Sequence, residues 1–377
     1  MKKLFFFSAY CLCTLIVLGQ SSTLLKGKIG PYAIIMELSS IGDTVAYGKY
    51  FYESKRKDIE LNGTVAKDGV IDVVCYNNFE ESFDDKSEKL QLKRTKDGYA
   101  GTWSTTKKTL PVRLYFFSID TIKNRFGGYP AIRMLKKESP LDYVRTAAFQ
   151  FIKDSVTRMN GYDLEWYHER HSGVELFRLR KPNMTAAIIK ANENLEEAQV
   201  EESNYCLTCT SSRTETEFDQ SINHIFMNAG VLSVNIFTSY DCGGAHPDFG
   251  SRSLNLDLTT GAALRLDDVL WFGGAKTLKE DSGEWFTYRD SVFAPKVVAL
   301  LRQLYPKEMK IDTNEDGCDY TDPEVWNFPN WYFTDKGLYL GAIFSRVSRS
   351  CDEPAWPVIP YSLVKKHMRS SLKLKLP

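Results

Sequence analysis

Residues 238–270 read TSYDCGGAHPDFGSRSLNLDLTTGAALRLDDVL, and their pattern decides how the rest of the chain is organised. Upstream, Val231 to Tyr240 is β-branched and aromatic enough for a strand, and Gly243-Gly244 supplies backbone angles that a Cβ would penalise. Polar chemistry is therefore expected in a turn. After it, Leu254, Leu256 and Leu258 alternate with Ser253, Asn255 and Asp257 until Thr260-Gly261 marks the next turn, which predicts a half-buried strand.

The glycine pair with Ala245-His246, the strand ending in Asp257-x-x-Thr260-Gly261 and the acidic loop Leu266-Asp-Asp-Val-Leu270 resemble the DUF3298 family of bacterial extracytoplasmic domains. Phe333-Thr-Asp-Lys-Gly-Leu-Tyr-Leu and Ile359-Pro-Tyr-Ser-Leu-Val are similar to that family's closing strand and helix, so the resemblance covers roughly 200 to 370. It departs at Pro247 and at Ser345 to Pro354. The resemblance implies a sheet packed with helices and a kinship with the ectodomains of lysozyme-binding anti-sigma factors and with accessory domains of envelope polysaccharide deacetylases. A lysozyme-like muramidase is then one expected partner.

At the other end, Met1-Lys-Lys followed by the apolar run Leu4 to Leu18 reads as a signal peptide over 1–19, cleaved after Gly19. Fifteen residues do not span a hydrocarbon core about 30 Å thick, so no mature transmembrane span is expected. Cys11 and Cys13 lack a lipidation setting, and a lipoprotein anchor is not expected. The chain carries 48 basic and 48 acidic residues, and losing Lys2 and Lys3 leaves 46 minus 48, or −2. No field attracts nucleic acid. Periplasmic or extracellular placement is the expectation.

From 27 to 118 the chain is a β-rich domain of short extended runs punctuated by Gly42-Asp43, Asn62-Gly63, Asp68-Gly69 and Asp97-Gly98. That spacing predicts an antiparallel meander or small barrel. A connection over 118–138 leads to an α+β domain over 130–370. Its first helix is expected to open at Ser139-Pro140 and bury Leu141, Val144, Ala148, Phe151, Ile152 and Val156. Strands are expected at 174–179 and 186–191, and a second helix over 291–305 is stopped by Pro306. Overall the fold class is α+β.

Six cysteines follow the signal, which permit 15 complete pairings. Cys206, Cys209, Cys242, Cys318 and Cys351 lie beyond residue 200, and at least two pairs among them should be oxidised. Cys206-Leu-Thr-Cys209 has redox spacing without the βαβ setting a thioredoxin-like site needs.

Metal and cofactor readings fare poorly. His168-Glu-Arg-His171 is HxxH rather than HExxH, and Gly161 and Gly173 crowd any helix around it. Asp312 to Gly317 imitates a calcium loop, yet the twelfth position falls on Pro323. No phosphate cradle, dinucleotide fingerprint or nucleophile elbow is present, so neither cofactor nor metal is expected. The candidate binding residues are Asp241, His246, Asp248 and Phe249 on the glycine-articulated segment, joined by Arg346, Arg349, Asp352, Glu353 and Trp356 in a later loop. The expected function is exported, non-catalytic recognition of an envelope protein or glycan. The alternative is a metal-dependent or acid/base hydrolase of envelope glycan or peptide, centred on His246.

Overall fold

A computed structural model describes residues 22–41, 44–67, 69–75, 88–210, 216–274, 276–310 and 317–376. The signal segment 1–19 and the calcium-like residues 312–316 lie outside them. The described chain forms two compact units, one of residues 22–54 and 59–118, the other of 55–58 and 119–376.

The first unit is a closed, up-and-down antiparallel barrel of eight strands. They are β1 (Ser22–Ile29), β2 (Tyr32–Ile41), β3 (Val45–Tyr52), β4 (Ile59–Val65), β5 (Val70–Cys75), β6 (Glu88–Arg94), β7 (Gly98–Ser104) and β8 (Thr109–Phe116). Alternation sends Leu25, Ile29, Ile34, Met36, Leu61, Val73, Leu90, Leu92, Val112 and Leu114 inward to one apolar core. The sequence pattern supplied seven of these strands. It missed β1, whose Lys26-Gly27-Lys28 breaks the apolar run, although β1 closes the barrel by pairing with β8. Gly27 is required there, because a Cβ would lie 1.9 Å from the Arg113 carbonyl oxygen.

The second unit holds three antiparallel three-stranded sheets with helices. One orders β11 (Glu175–Arg180), β10 (Tyr162–Glu169) and β9 (Phe151–Met159); the next β12 (Glu217–Met227), β13 (Val231–Asp241) and β14 (Asp248–Asp257); the last β15 (Asn330–Phe333), β16 (Gly337–Gly341) and β17 (Val358–Pro360). Seven helices accompany them among the described residues: α1 (Pro130–Glu138), α2 (Pro140–Thr146), α3 (Ala186–Thr208), α4 (Leu266–Val269), α5 (Gly283–Tyr288), α6 (Ala294–Leu304) and α7 (Tyr361–His367).

Three expectations are corrected here. The helix from Ser139 ends at Thr146, and Phe151 to Met159 is a strand whose Ile152 and Val156 face solvent. Helical spacing of apolar residues across 141–156 hid the turn at 147–150, where Ala148 and Phe149 close short backbone hydrogen bonds. Residues 186–191, expected as a strand, open the 23-residue helix α3, capped by the Thr185 side chain. Ile188, Ala191, Leu195 and Ala198 recur on its buried face, a spacing that a six-residue window is too short to reveal. Part of the expected 118–138 connection is helical as well, since α1 buries Ile132.

The helix expected over 291–305 is α6, entered through a five-residue π turn, Arg289–Phe293, and followed by Pro306. Its Val297, Val298 and Leu301 pack with Trp326, Phe333, Leu338 and Ile359 into one core, each burial contributing about 1.5–3 kcal/mol. A second core joins α3 to Leu164, Phe177, Leu232, Val234 and Leu256.

The strand predicted as half-buried is buried on both faces at its end. Asn255 and Asp257 are covered as well as Leu256. The cause is a polar seam to the last sheet: Asn255 donates to the Trp331 carbonyl at 2.8 Å and accepts from the Ser233 hydroxyl, while Phe333 N–H donates to that hydroxyl at 3.0 Å. Asp257 ties the Thr-Thr-Gly turn, accepting from Thr259 N–H and both threonine hydroxyls within 2.8 Å.

Candidate functional site

The turn between β13 and β14 and the loop after β16 meet in space. Cys242 at the start of the turn is bonded to Cys209 just beyond α3, with Cα atoms 4.8 Å apart. Cys351 in the other loop is bonded to Cys318 at 5.5 Å. Four of the five cysteine candidates are thus paired. Cys206 is the exception: its thiol is free, and burial pushes it up to about 11. It stands one helical turn before Cys209, on α3, and points toward the Ser172 carbonyl 3.7 Å away.

Arg349 joins the two loops. Its guanidinium pairs with Asp248 at 3.0 Å and Asp352 at 3.3 Å, donates to the Phe249 carbonyl at 2.6 Å and lies 5.4 Å over the Phe249 ring. Arg346 adds a bond to the His246 carbonyl at 3.2 Å. Asp241 accepts from Gly243 N–H at 3.1 Å and so shapes the turn, while its His246 neighbour stays exposed. Burial raises the carboxyls of both Asp352 and Glu353; hydrogen bonds from Phe344 N–H to Asp352 and from Ser251 and Asn330 to Glu353 oppose the rise. Glu353 holds a positive φ of 50°, one residue after the Arg349 contact.

Trp356 sits elsewhere. Its half-buried ring packs against Tyr305 at 5.1 Å, Tyr320 at 5.4 Å and Trp326 at 6.1 Å, so it walls the core instead of projecting from the loop. The apolar residue that does project is Val347, 95% exposed within the 3-10 turn Arg346–Cys351. Phe249 is also exposed, its ring 6.0 Å from Phe237. Sequence reasoning misses Val347: one β-branched residue within Ser-Arg-Val-Ser-Arg-Ser offers no periodicity to read.

What the arrangement can do follows from its bonding. Arg349, Asp248 and Asp352 are paired with one another, so they fix loop shape and leave Val347, Phe249, Pro247 and His246 on the surface.

A second concavity, of about 480 Å³, opens between α3 and the β9–β11 sheet. Arg178 lies at its base, donating to the Phe177 carbonyl at 3.0 Å and to Gln199 at 2.9 Å, and burial lowers it to about 10. Tyr129 donates to Glu196, and burial with that carboxylate raises the phenol. These residues come from separated segments, and no sequence motif announces them.

The HxxH histidines do not converge. His168 lies on β10 with Asp154 at 2.7 Å, and His171 lies in the following turn, its pKa lowered by burial. No group of three or more His, Cys, Asp or Glu side chains gathers for a metal ion among the described residues. No helix among them is long and apolar enough to cross a membrane.

No protein-family model matches the chain, and no curated protein does. Among solved structures it is similar to the crystal structure of a member of the DUF3298 family from Bacteroides fragilis, at 14% sequence identity and a TM-score of 0.28. The match covers 59% of this chain and 94% of that one. The family suggested by residues 238–270 is thus represented among similar structures, at weak similarity and without reaching the anti-sigma-factor ectodomains.

Proposed function

We propose that this chain is an exported, non-catalytic cell-envelope protein that binds an envelope component or secreted protein through the paired loops 241–249 and 345–353. The observation that carries the reading is Val347, almost wholly exposed on a turn that the Cys318–Cys351 disulfide and Arg349 hold in place. Val347 and Phe249 both lie exposed on these loops, and a surface fixed before contact loses little entropy on binding. The two disulfides support an oxidising compartment. Arg346 and His246 at the rim would steer and discriminate.

The test is capture from envelope and secreted fractions with the oxidised chain, followed by equilibrium titration of each captured candidate, a lysozyme-like muramidase included. Val347→Asp and Phe249→Ala should each weaken binding at least tenfold with the circular dichroism spectrum unchanged. Substoichiometric conversion of a glycan or peptide, removed by His246→Ala, would replace binding with hydrolysis.

A further inference from the structure

The outer face of the barrel where β1 meets β8 carries charges that its fold does not need. Register sets Lys28 directly opposite Arg113 and Lys26 opposite Tyr115. Directly opposed residues of an antiparallel pair share a face with Cβ atoms about 4.5–5.5 Å apart, and like charges there destabilise the sheet. The alternate residues Leu25, Ile29, Val112 and Leu114 fill the barrel core, which leaves these four side chains outside. Lys26 is offset by Glu53 at 3.7 Å. Lys28 and Arg113 have no carboxylate partner among the described residues; Arg113 only lies 5.9 Å over the Tyr115 ring. Any uncharged β-branched residue at either position would serve the barrel better.

Next to this pair runs a groove of about 610 Å³, lined by Gly27, Ala33, Tyr115 and Phe117 beside the cations and Glu53, the partner of Lys26; Phe116 also borders it, but it shares the inward face of its partner Leu25 and packs against Tyr99 at 5.9 Å. Tyr115 is 48% exposed. The lysine and arginine stems extend the apolar lining while their heads stay at the rim. A neutral apolar ligand would leave the two cations unanswered, and a purely polar anion would leave the aromatic wall wet.

We infer that this groove binds an anionic amphiphile, its apolar body along Tyr115 and Phe117 and its carboxylate or phosphate between Lys28 and Arg113. The site is independent of the loop surface on the second unit. Its ligand arrives either as a free amphiphile or as the headgroup and upper chain of an anionic bilayer lipid.

The experiment uses the full chain after residue 19, titrated calorimetrically with decanoate and decyl phosphate below their micellar concentrations, with decanol and inorganic phosphate as controls, and by flotation with phosphatidylglycerol or phosphatidylcholine vesicles. Saturable binding of the two anionic probes, at least tenfold tighter than either control, supports a free amphiphile. Flotation with phosphatidylglycerol alone supports the bilayer source. In either case Lys28→Glu should reduce binding at least tenfold and raise the melting temperature of the unliganded protein, because it turns the repulsive cross-strand pair attractive. Arg113→Glu repeats the test should the first variant fail to fold. Undiminished binding in a folded variant, lower melting temperatures in both, or no binding of any anionic probe in either form would overturn the inference.

Discussion

The barrel and the second unit bury their residues by different rules. Of the polar or charged side chains buried among the described residues, all but Ser39 belong to the second unit. The barrel is specified by alternation, which needs only apolar residues at every second position. The second unit is specified largely by hydrogen-bonded polar groups that each require named partners. Arg145 is fully buried, pairs with Asp142 at 2.7 Å and with Asp58, and donates to Asn204 at 2.8 Å and to the Arg56 carbonyl at 2.9 Å. The difference teaches where each unit is fragile: the barrel to loss of volume, the second unit to loss of a single charge.

The largest effect should come from Arg145→Leu, which leaves two carboxylates without their guanidinium. A destabilisation of about 3–5 kcal/mol is expected from breaking a buried pair on one side. Urea unfolding followed by tryptophan fluorescence measures it, and a loss below about 1 kcal/mol would remove the contrast between the units.

Next comes the double variant Cys318→Ser, Cys351→Ser. The disulfide closes a separation of 33 residues, for which the chain-entropy account gives about 3–4 kcal/mol. The loss should appear in the second unit alone, as protease sensitivity near 345–353 with the barrel still resistant. Cleavage first within 22–118 would contradict it.

In the barrel a polar deletion should matter less than in the second unit. Tyr50→Phe removes a bond to Glu88 at 3.1 Å, and Glu88 keeps the Trp103 indole N–H at 2.9 Å. About 1 kcal/mol or less is expected in thermal unfolding. A loss matching that of Arg145→Leu would show that the barrel too depends on polar specification.

The smallest effect is one of pH. The Glu353 carboxyl is raised in the folded state by burial, so the folded protein holds that proton more tightly than the unfolded chain. Its contribution is full below the ordinary glutamate value of 4.5 and is lost as pH rises through the folded value. Wild type should therefore gain on Glu353→Gln as pH falls from 7 toward 4.5, read from paired urea midpoints; an unchanging difference would count against it.

This contrast also explains what could be read from residues alone. Strands β2 to β8 were legible because alternation and Gly-containing turns are local. The pairing of Cys209 with Cys242 and of Cys318 with Cys351 was not, since 15 pairings satisfy the same spacings. The two candidate loops were legible, 241–249 as a polar, glycine-articulated segment and 345–357 as a charged loop, and they do meet. That Arg349 would be the residue between them, and that Trp356 would turn inward to Tyr305, Tyr320 and Trp326, depends on partners 30 to 101 positions away by residue number. The misread strand β9 shows the converse: Leu141, Val144, Ala148, Phe151 and Ile152 fit one helical face, yet three of them sit beyond the helix end.

Closure of the barrel sets an order of events. Strand β1 has no partner on one side until β8 exists, and the two are the first and last strands of the unit. A ribosome adding about 5–20 residues per second delivers Phe116 roughly 5–20 s after Ser22. Hairpins form within about 10 μs, so β1 with β2 and the strands behind them are ready long before the seam can close. Before β8 is present the sheet has no seam to close, and the ladder between β1 and β8 is the one spanning the longest loop. Any factor that holds the nascent chain unfolded has its widest opportunity before the eighth strand emerges.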